Sequence, residues 1–170
     1  SNKLLLTTDK MLYNYQYIDY IVNYIPGAKI IHTCRNPLDN ILSIYRAHFA
    51  KGNTYSSSIK DCADIYLNQE RIMEAYKEKY PYQVYESNYD LLVESPFNYI
   101  YSLISWLGWE WNDSYLHPEN NSRYIFTRSN VEVRSPISRK SLGGWKNYRT
   151  ILKPAIESIN SIGKYNLTNN

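Results

Sequence analysis

The sequence predicts an α/β fold, rich in helix and built on a short parallel sheet. Three observations carry that reading. Short β-branched runs alternate with longer segments of helical apolar spacing. Asn36-Pro37 and Ser95-Pro96 place a capping residue and a first-turn proline where two of the helical segments begin. Pro26-Gly27, Gly52-Asn53 and Gly108 stand where helical segments stop. A chain of 170 residues, 44% of them apolar, suits one domain with a real core, taken as residues 1–170.

Residues 3–8 read as a short strand. Residues 11–25 read as a helix, with Ile18, Ile21, Val22 and Ile25 at helical spacing. Residues 28–34 read as a buried strand that is short, β-branched and bounded by a turn. The helix opened by Asn36-Pro37 has Leu38, Ile41, Leu42, Tyr45 and Phe49 on its apolar face. A longer helix covers about 58–79, with Cys62, Ile65, Tyr66, Met73 and Tyr76 inward. Residues 82–86 are a candidate strand. The helix after Ser95-Pro96 has the stripe Phe97, Ile100, Tyr101, Ile104 and Leu107. Residues 109–138 are loop-rich, and a last helix spans roughly 145–161. Three strands are few for such a sheet, which points to a part of something larger.

Composition narrows the function. The net charge of +3, from 19 basic and 16 acidic residues, is too small an excess to argue for nucleic acid. No basic stripe with interleaved aromatics marks a single-strand binder. The two cysteines, Cys34 and Cys62, make no disulfide framework and no zinc spacing, and read as buried free thiols. That fits a reducing, cytoplasmic setting. No apolar run approaches the ~20 residues of a membrane span. His32 alternates with Ile30 and Cys34 on one strand face and reads as a packed core histidine.

Two stretches can carry chemistry. In Cys34-Arg35-Asn36-Pro37-Leu38-Asp39-Asn40-Ile41-Leu42-Ser43, an arginine stands at the carboxyl end of a strand, just before a helix. Open α/β sheets bind ligands at that edge. A helix start offers amide donors and partial positive charge, and a guanidinium beside it suits a phosphate or sulfate. Ser43 shares a polar helix face with Asn36 and Asn40, about 10 Å along the axis from Asn36. An anion on the helix flank meets both Arg35 and Ser43, whereas physics alone favours the helix tip. The plainer reading is a surface arginine paired with Asp39. The second stretch is Ser138-Arg139-Lys140-Ser141-Leu142-Gly143-Gly144-Trp145-Lys146-Asn147-Tyr148. Arg139, Lys140 and the Ser141 hydroxyl can grip one phosphate, and the glycines allow close backbone approach. The plainer reading is a solvated basic loop.

Together the two stretches resemble the sulfotransferases that use 3′-phosphoadenosine 5′-phosphosulfate (PAPS). In that family an arginine ends a strand and a serine stands eight residues later, as Arg35 and Ser43 do. The Arg139–Asn147 stretch resembles the family's Arg-Lys-Gly loop and the Trp-Lys-Asn after it, one residue shorter and with Ser141 at the usual glycine. Tyr45 and His48-Phe49 are similar to the family motif too. Thr8-Asp9-Lys10-Met11, Ile25–His32, Tyr89–Pro96, Leu107–Glu110 and Val133–Ile137 resemble further segments of the bacterial and tyrosyl-protein branches, in the same order.

The resemblance implies a helix-rich fold like that of the P-loop NTPases, with a short parallel sheet. It implies transfer of a sulfuryl group from PAPS to an acceptor hydroxyl or amine. Arg35, Ser43, Arg139, Lys140 and Ser141 then bind the 3′-phosphate, Trp145 packs close to the nucleotide, and Lys10 contacts the transferring group. No metal is implied, because arginine and lysine supply the positive charge. The family's 5′-phosphosulfate loop has no match in this sequence. The chain is therefore expected to be the C-terminal, incomplete part of an enzyme, supplying the 3′-phosphate site. An adenosine 3′,5′-bisphosphate (PAP)-binding module without catalysis is the alternative. A nucleotide-kinase fragment is disfavoured by the missing Gly-x-x-x-x-Gly-Lys loop. The acceptor, whether carbohydrate, protein tyrosine or small metabolite, is left open. An incomplete sheet exposes an edge, so self-association into a homo-oligomer is expected.

Overall fold

The computed structural model describes residues 6–47, 49, 52–121 and 135–162. Its helices are α1 (Ile18–Tyr24), α2 (Pro37–Ala47), α3 (Ile59–Lys79), α4 (Tyr89–Glu94), α5 (Pro96–Leu107) and α6 (Lys153–Asn160), with strands β1 (Ile30–Cys34) and β2 (Val84–Asn88). Short 3-10 turns precede α1 at Asn14–Tyr17, precede α3 at Thr54–Ser57, and cover Gly144–Tyr148. The α/β class and the helix-rich balance expected from the sequence are what the chain adopts.

β1 and β2 pair in parallel, from Ile30 against Val84 to Cys34 against Asn88. A parallel pair needs a long crossover, and α2 and α3 supply it. The strand expected at 3–8 is not found: residues 6–8 carry no strand, and 3–5 lie outside the described residues. His48 and the Val133-Arg134 pair lie outside them as well.

Each helix obeys local rules. Ser58 caps α3 through its side chain, accepting from the Asp61 amide at 3.2 Å. Lys77 and Lys79 stand in the last turn of α3, where the helix dipole favours cations. Gly108 ends α5 at φ +74°, a left-handed conformation that a side chain rarely adopts.

One core cluster joins Leu38, Ile41 and Leu42 of α2 to Ile59, Cys62, Ala63 and Tyr66 of α3. Trp145, Leu152, and Ala155 and Ile159 of α6 complete it. A smaller cluster packs Ile18 of α1 and Met73 of α3 under Val84 of β2. The stripe expected on α5 is corrected. Ile104 is buried, but Phe97 and Tyr101 are exposed and meet each other and Trp111 at ring-centroid distances of 5.2 to 6.0 Å. Helical spacing identified a shared face correctly but not what lies against it. The 145–161 helix divides into the Gly144–Tyr148 turn and α6, whose first turn holds Pro154.

Leu38 is fully buried where α2 meets the core, whereas Ile31 is 42% exposed. Leu38→Ala is expected to lower unfolding free energy by about 3 kcal/mol in urea titration, and Ile31→Ala by less than about 1 kcal/mol.

Candidate functional site

The site is built where both strands end. Each strand runs into a helix through an asparagine that caps it. The Asn36 Oδ1 accepts the amides of Leu38 and Asp39 at 3.0 and 3.2 Å. The Asn88 Oδ1 accepts the amides of Asp90 and Leu91 at 2.8 and 3.2 Å. The Asp90 Oδ2 then reaches across to the Asn36 amide at 2.6 Å. The amides at the α2 tip are thus already bonded within the protein. The expectation of free donors there is corrected: the Asn36, Leu38 and Asp39 amides are taken by Asp90 and Asn36.

Arg35 leads from this corner toward the second stretch. Its Nη2 donates to the Ser141 carbonyl at 2.8 Å, so residues 106 apart in sequence are in direct contact. Its guanidinium lies over the Tyr89 ring, 5.1 Å from the centroid. The Tyr89 hydroxyl meets the Ser141 Oγ at 3.0 Å. Asp39, one turn up α2, stands 3.8 Å from the same Nη2. The Arg35 Nε is buried and bonds to nothing among the described residues. That donor lets the planar guanidinium serve an anion with two oxygens.

The surface pair of Arg35 with Asp39 is half right, since the two residues do face each other. Asp39 is buried, however, and its principal partners are backbone amides. Its Oδ2 accepts from Gly143 at 2.8 Å and its Oδ1 from Trp145 at 2.9 Å. Gly143 has φ +66°, and the turn after it is right-handed. Such a left-then-right pair points successive amides at one spot, a nest that suits an anion. Here the nest holds the protein's own carboxylate. The Gly143 amide thus serves an internal contact.

The other expected residues are more dispersed. Arg139 donates to the Glu94 carbonyl at the end of α4, at 3.2 Å. Lys140 and Ser141 are exposed in the same loop. Trp145 is buried in the main core cluster, with the Arg149 guanidinium 5.0 Å from its ring centroid. Ser43 is exposed on α2, and among the described residues no hydrogen bond joins it to Arg35. Lys10 is exposed before the first turn, and no bond or ion pair among those residues joins it to the Arg35 group. Arg35, Ser141 and the backbone of the 139–145 loop are thus brought together, with Arg139 and Lys140 in that loop. Tyr89 and Asp90 were missed as site residues. Their signal was present, because Tyr89-Asp90 comes directly after the second strand and so lies beside the end of the first.

Burial also sets the thiol next to this corner. It pushes Cys34 up to about 12, with the negative charges of Glu86 and Glu70 adding to the shift. His32 is buried, as expected, 3.4 Å from the Glu70 carboxylate. Among the described residues no cluster of His, Cys, Asp and Glu is arranged to hold a metal ion. None of the described helices is long and apolar enough to cross a membrane.

Comparison with known proteins is consistent with the motif. A family profile described as "Sulfotransferase family" matches residues 2–113. An uncharacterized protein of Aquifex aeolicus (strain VF5) is 35% identical over 154 residues, which cover 89% of this chain and 20% of that protein. The chain therefore spans about a fifth of the length of this relative.

Three outcomes test the local chemistry. With its pKa raised to about 12, Cys34 stays a neutral thiol at pH 8 and is expected to react with iodoacetamide far more slowly in the native protein than after unfolding in guanidinium, read by mass spectrometry. Gly143→Ala forces a side chain into the left-handed region and should lower stability by about 1 kcal/mol. At Gly144 an added Cβ meets only Asp39 Oδ1, at an ordinary 3.6 Å. Gly144→Ala should therefore change stability by less than about 0.5 kcal/mol.

Proposed function

The chain belongs to the sulfotransferase family, and from that premise we propose that it supplies the part of a PAPS-dependent sulfotransferase that holds the nucleotide's 3′-phosphate. The observation that carries the reading is the contact of Arg35 with the 139–141 loop. It sets one guanidinium beside a loop with two further cations, at the carboxyl edge of a parallel sheet.

The donor set suits a dianion. Arg35 has an unused buried Nε, Arg139 and Lys140 bring two charges, and the Ser141 hydroxyl adds a donor. The Tyr89 ring adds a cation–π contact to the guanidinium, 5.1 Å from centroid to Cζ. Because the helix tip is closed, the phosphate lies along the α2 flank, where Ser43 is the next hydroxyl. PAPS supplies the sulfuryl group when bound. The chain's part is positioning and charge neutralisation, which dominate group transfers of this kind. Lys10, exposed in the N-terminal segment, is assigned to charge on the transferring group. The acceptor is a hydroxyl or amine of open class. Because the chain spans a fifth of its relative, transfer is a property proposed for the complete protein.

Thermal shift tests the clamp. PAP should raise the melting temperature of this chain more than AMP does at equal concentration, and Arg35→Ala should abolish the difference. Equal responses to both nucleotides in the unaltered chain would overturn the reading. Preference for PAP without transfer in the complete protein would reduce it to a nucleotide-binding module.

A further inference from the structure

We infer that Asp39 is the positioning residue of this clamp: its buried carboxylate latches the Gly143–Trp145 backbone to α2 and thereby holds Ser141 against Arg35. The latch itself is an arrangement of this chain; its bearing on a nucleotide rests on the reading given above.

Asp39 is only 5% exposed, and a buried carboxylate is costly unless its oxygens are satisfied. The protein satisfies both. One oxygen takes the Gly143 amide and the other the Trp145 amide, at 2.8 and 2.9 Å, while the Arg35 guanidinium stands 3.8 Å away. Two amides two residues apart need two acceptors close together and on one rigid plane. A carboxylate provides that, and an asparagine provides one acceptor and one donor.

The location makes the latch more than a core contact. Asp39 sits in the first turn of α2, one turn after Arg35. Trp145, the far end of the latched segment, is anchored in the main core, so the loop is held from beneath and from the side. The loop bends back at Leu142, whose amide bonds to the Arg139 carbonyl at 3.0 Å. The residues from Arg139 to Gly143 therefore form a compact turn whose end is fixed by Asp39. Ser141 lies within that turn, and its carbonyl is the acceptor for Arg35. Releasing Gly143 leaves the turn held by its contacts with Arg35, Tyr89 and Glu94, and loosens the place of the basic side chains relative to the guanidinium.

Amide hydrogen exchange and calorimetry on the intact chain test this. Asp39→Asn keeps the volume but turns a donor toward one of the two amides. Exchange at Gly143 and Trp145 is expected to rise about tenfold or more, while amides of α3 around Met73 keep their protection. The affinity for PAP should fall about tenfold, and Arg35→Ala should weaken PAP binding without releasing the two amides. Asp64→Asn, which breaks an exposed pair with Lys60, should do neither. Unchanged exchange at Gly143 and Trp145 in Asp39→Asn would overturn the latch. So would a uniform rise across the protein, which marks general destabilisation. Released amides with unchanged PAP affinity would overturn the positioning role. If the unaltered chain shows no preference for PAP, the 3′-phosphate reading fails, and the exchange pattern alone decides the latch.

Discussion

A buried carboxylate that needs donors joins two distant stretches of this chain. Asp39 finds those donors in Gly143 and Trp145, more than a hundred residues away. That contact seats the loop against α2, lets Trp145 complete the core, and leaves Arg35 facing Ser141. Hydrophobic burial supplies the bulk of the driving force through the α2–α3–α6 cluster. Apolar packing has no direction, however, and does not by itself specify which turn of the 139–148 segment faces which residue of α2. The hydrogen bonds set that register.

The same principle governs the sheet's edge. Among the described residues the sheet has two parallel strands, and a capped turn follows the carboxyl end of each. Asn36 and Asn88 play the same part on neighbouring strands, each accepting from amides two and three residues on. The edge where a ligand is expected in an open α/β sheet is thereby reshaped. The helix tip, the most attractive place for an anion, is used for internal caps, and Arg35 meets the 139–141 loop beside it.

Much of this was legible in the sequence. Asn36-Pro37 and Gly108 mark real helix limits, because caps and left-handed stops act through residues next to each other in the chain. The strand read over 28–34, found at Ile30–Cys34, comes from its β-branched residues and bounding turn, and the buried faces of α2 and α3 come from periodicity. The meeting of Arg35 with the 139–141 loop was legible only through resemblance, since nothing local ties residues so far apart. The closure of the α2 tip was not legible, because Asp90 acts from beyond the next strand. The exposure of Phe97 and Tyr101 was equally hidden, since a helical stripe tells which side chains share a face and not what covers it. Asp39 was seen as a possible partner of Arg35. Its burial, and the amides it serves, depend on a loop that sequence spacing does not bring near.

The bond from Asp90 to the Asn36 amide has one more bearing. Asp90 belongs to α4, which also offers its final carbonyl to Arg139 and its first residue, Tyr89, to the face of Arg35. A helix of only six residues therefore touches both cationic arms of the site and the peptide that introduces α2. It works as a hub: a shift of its axis is felt by the two arms together, so their spacing is governed by one small piece of backbone and not by two independent ones.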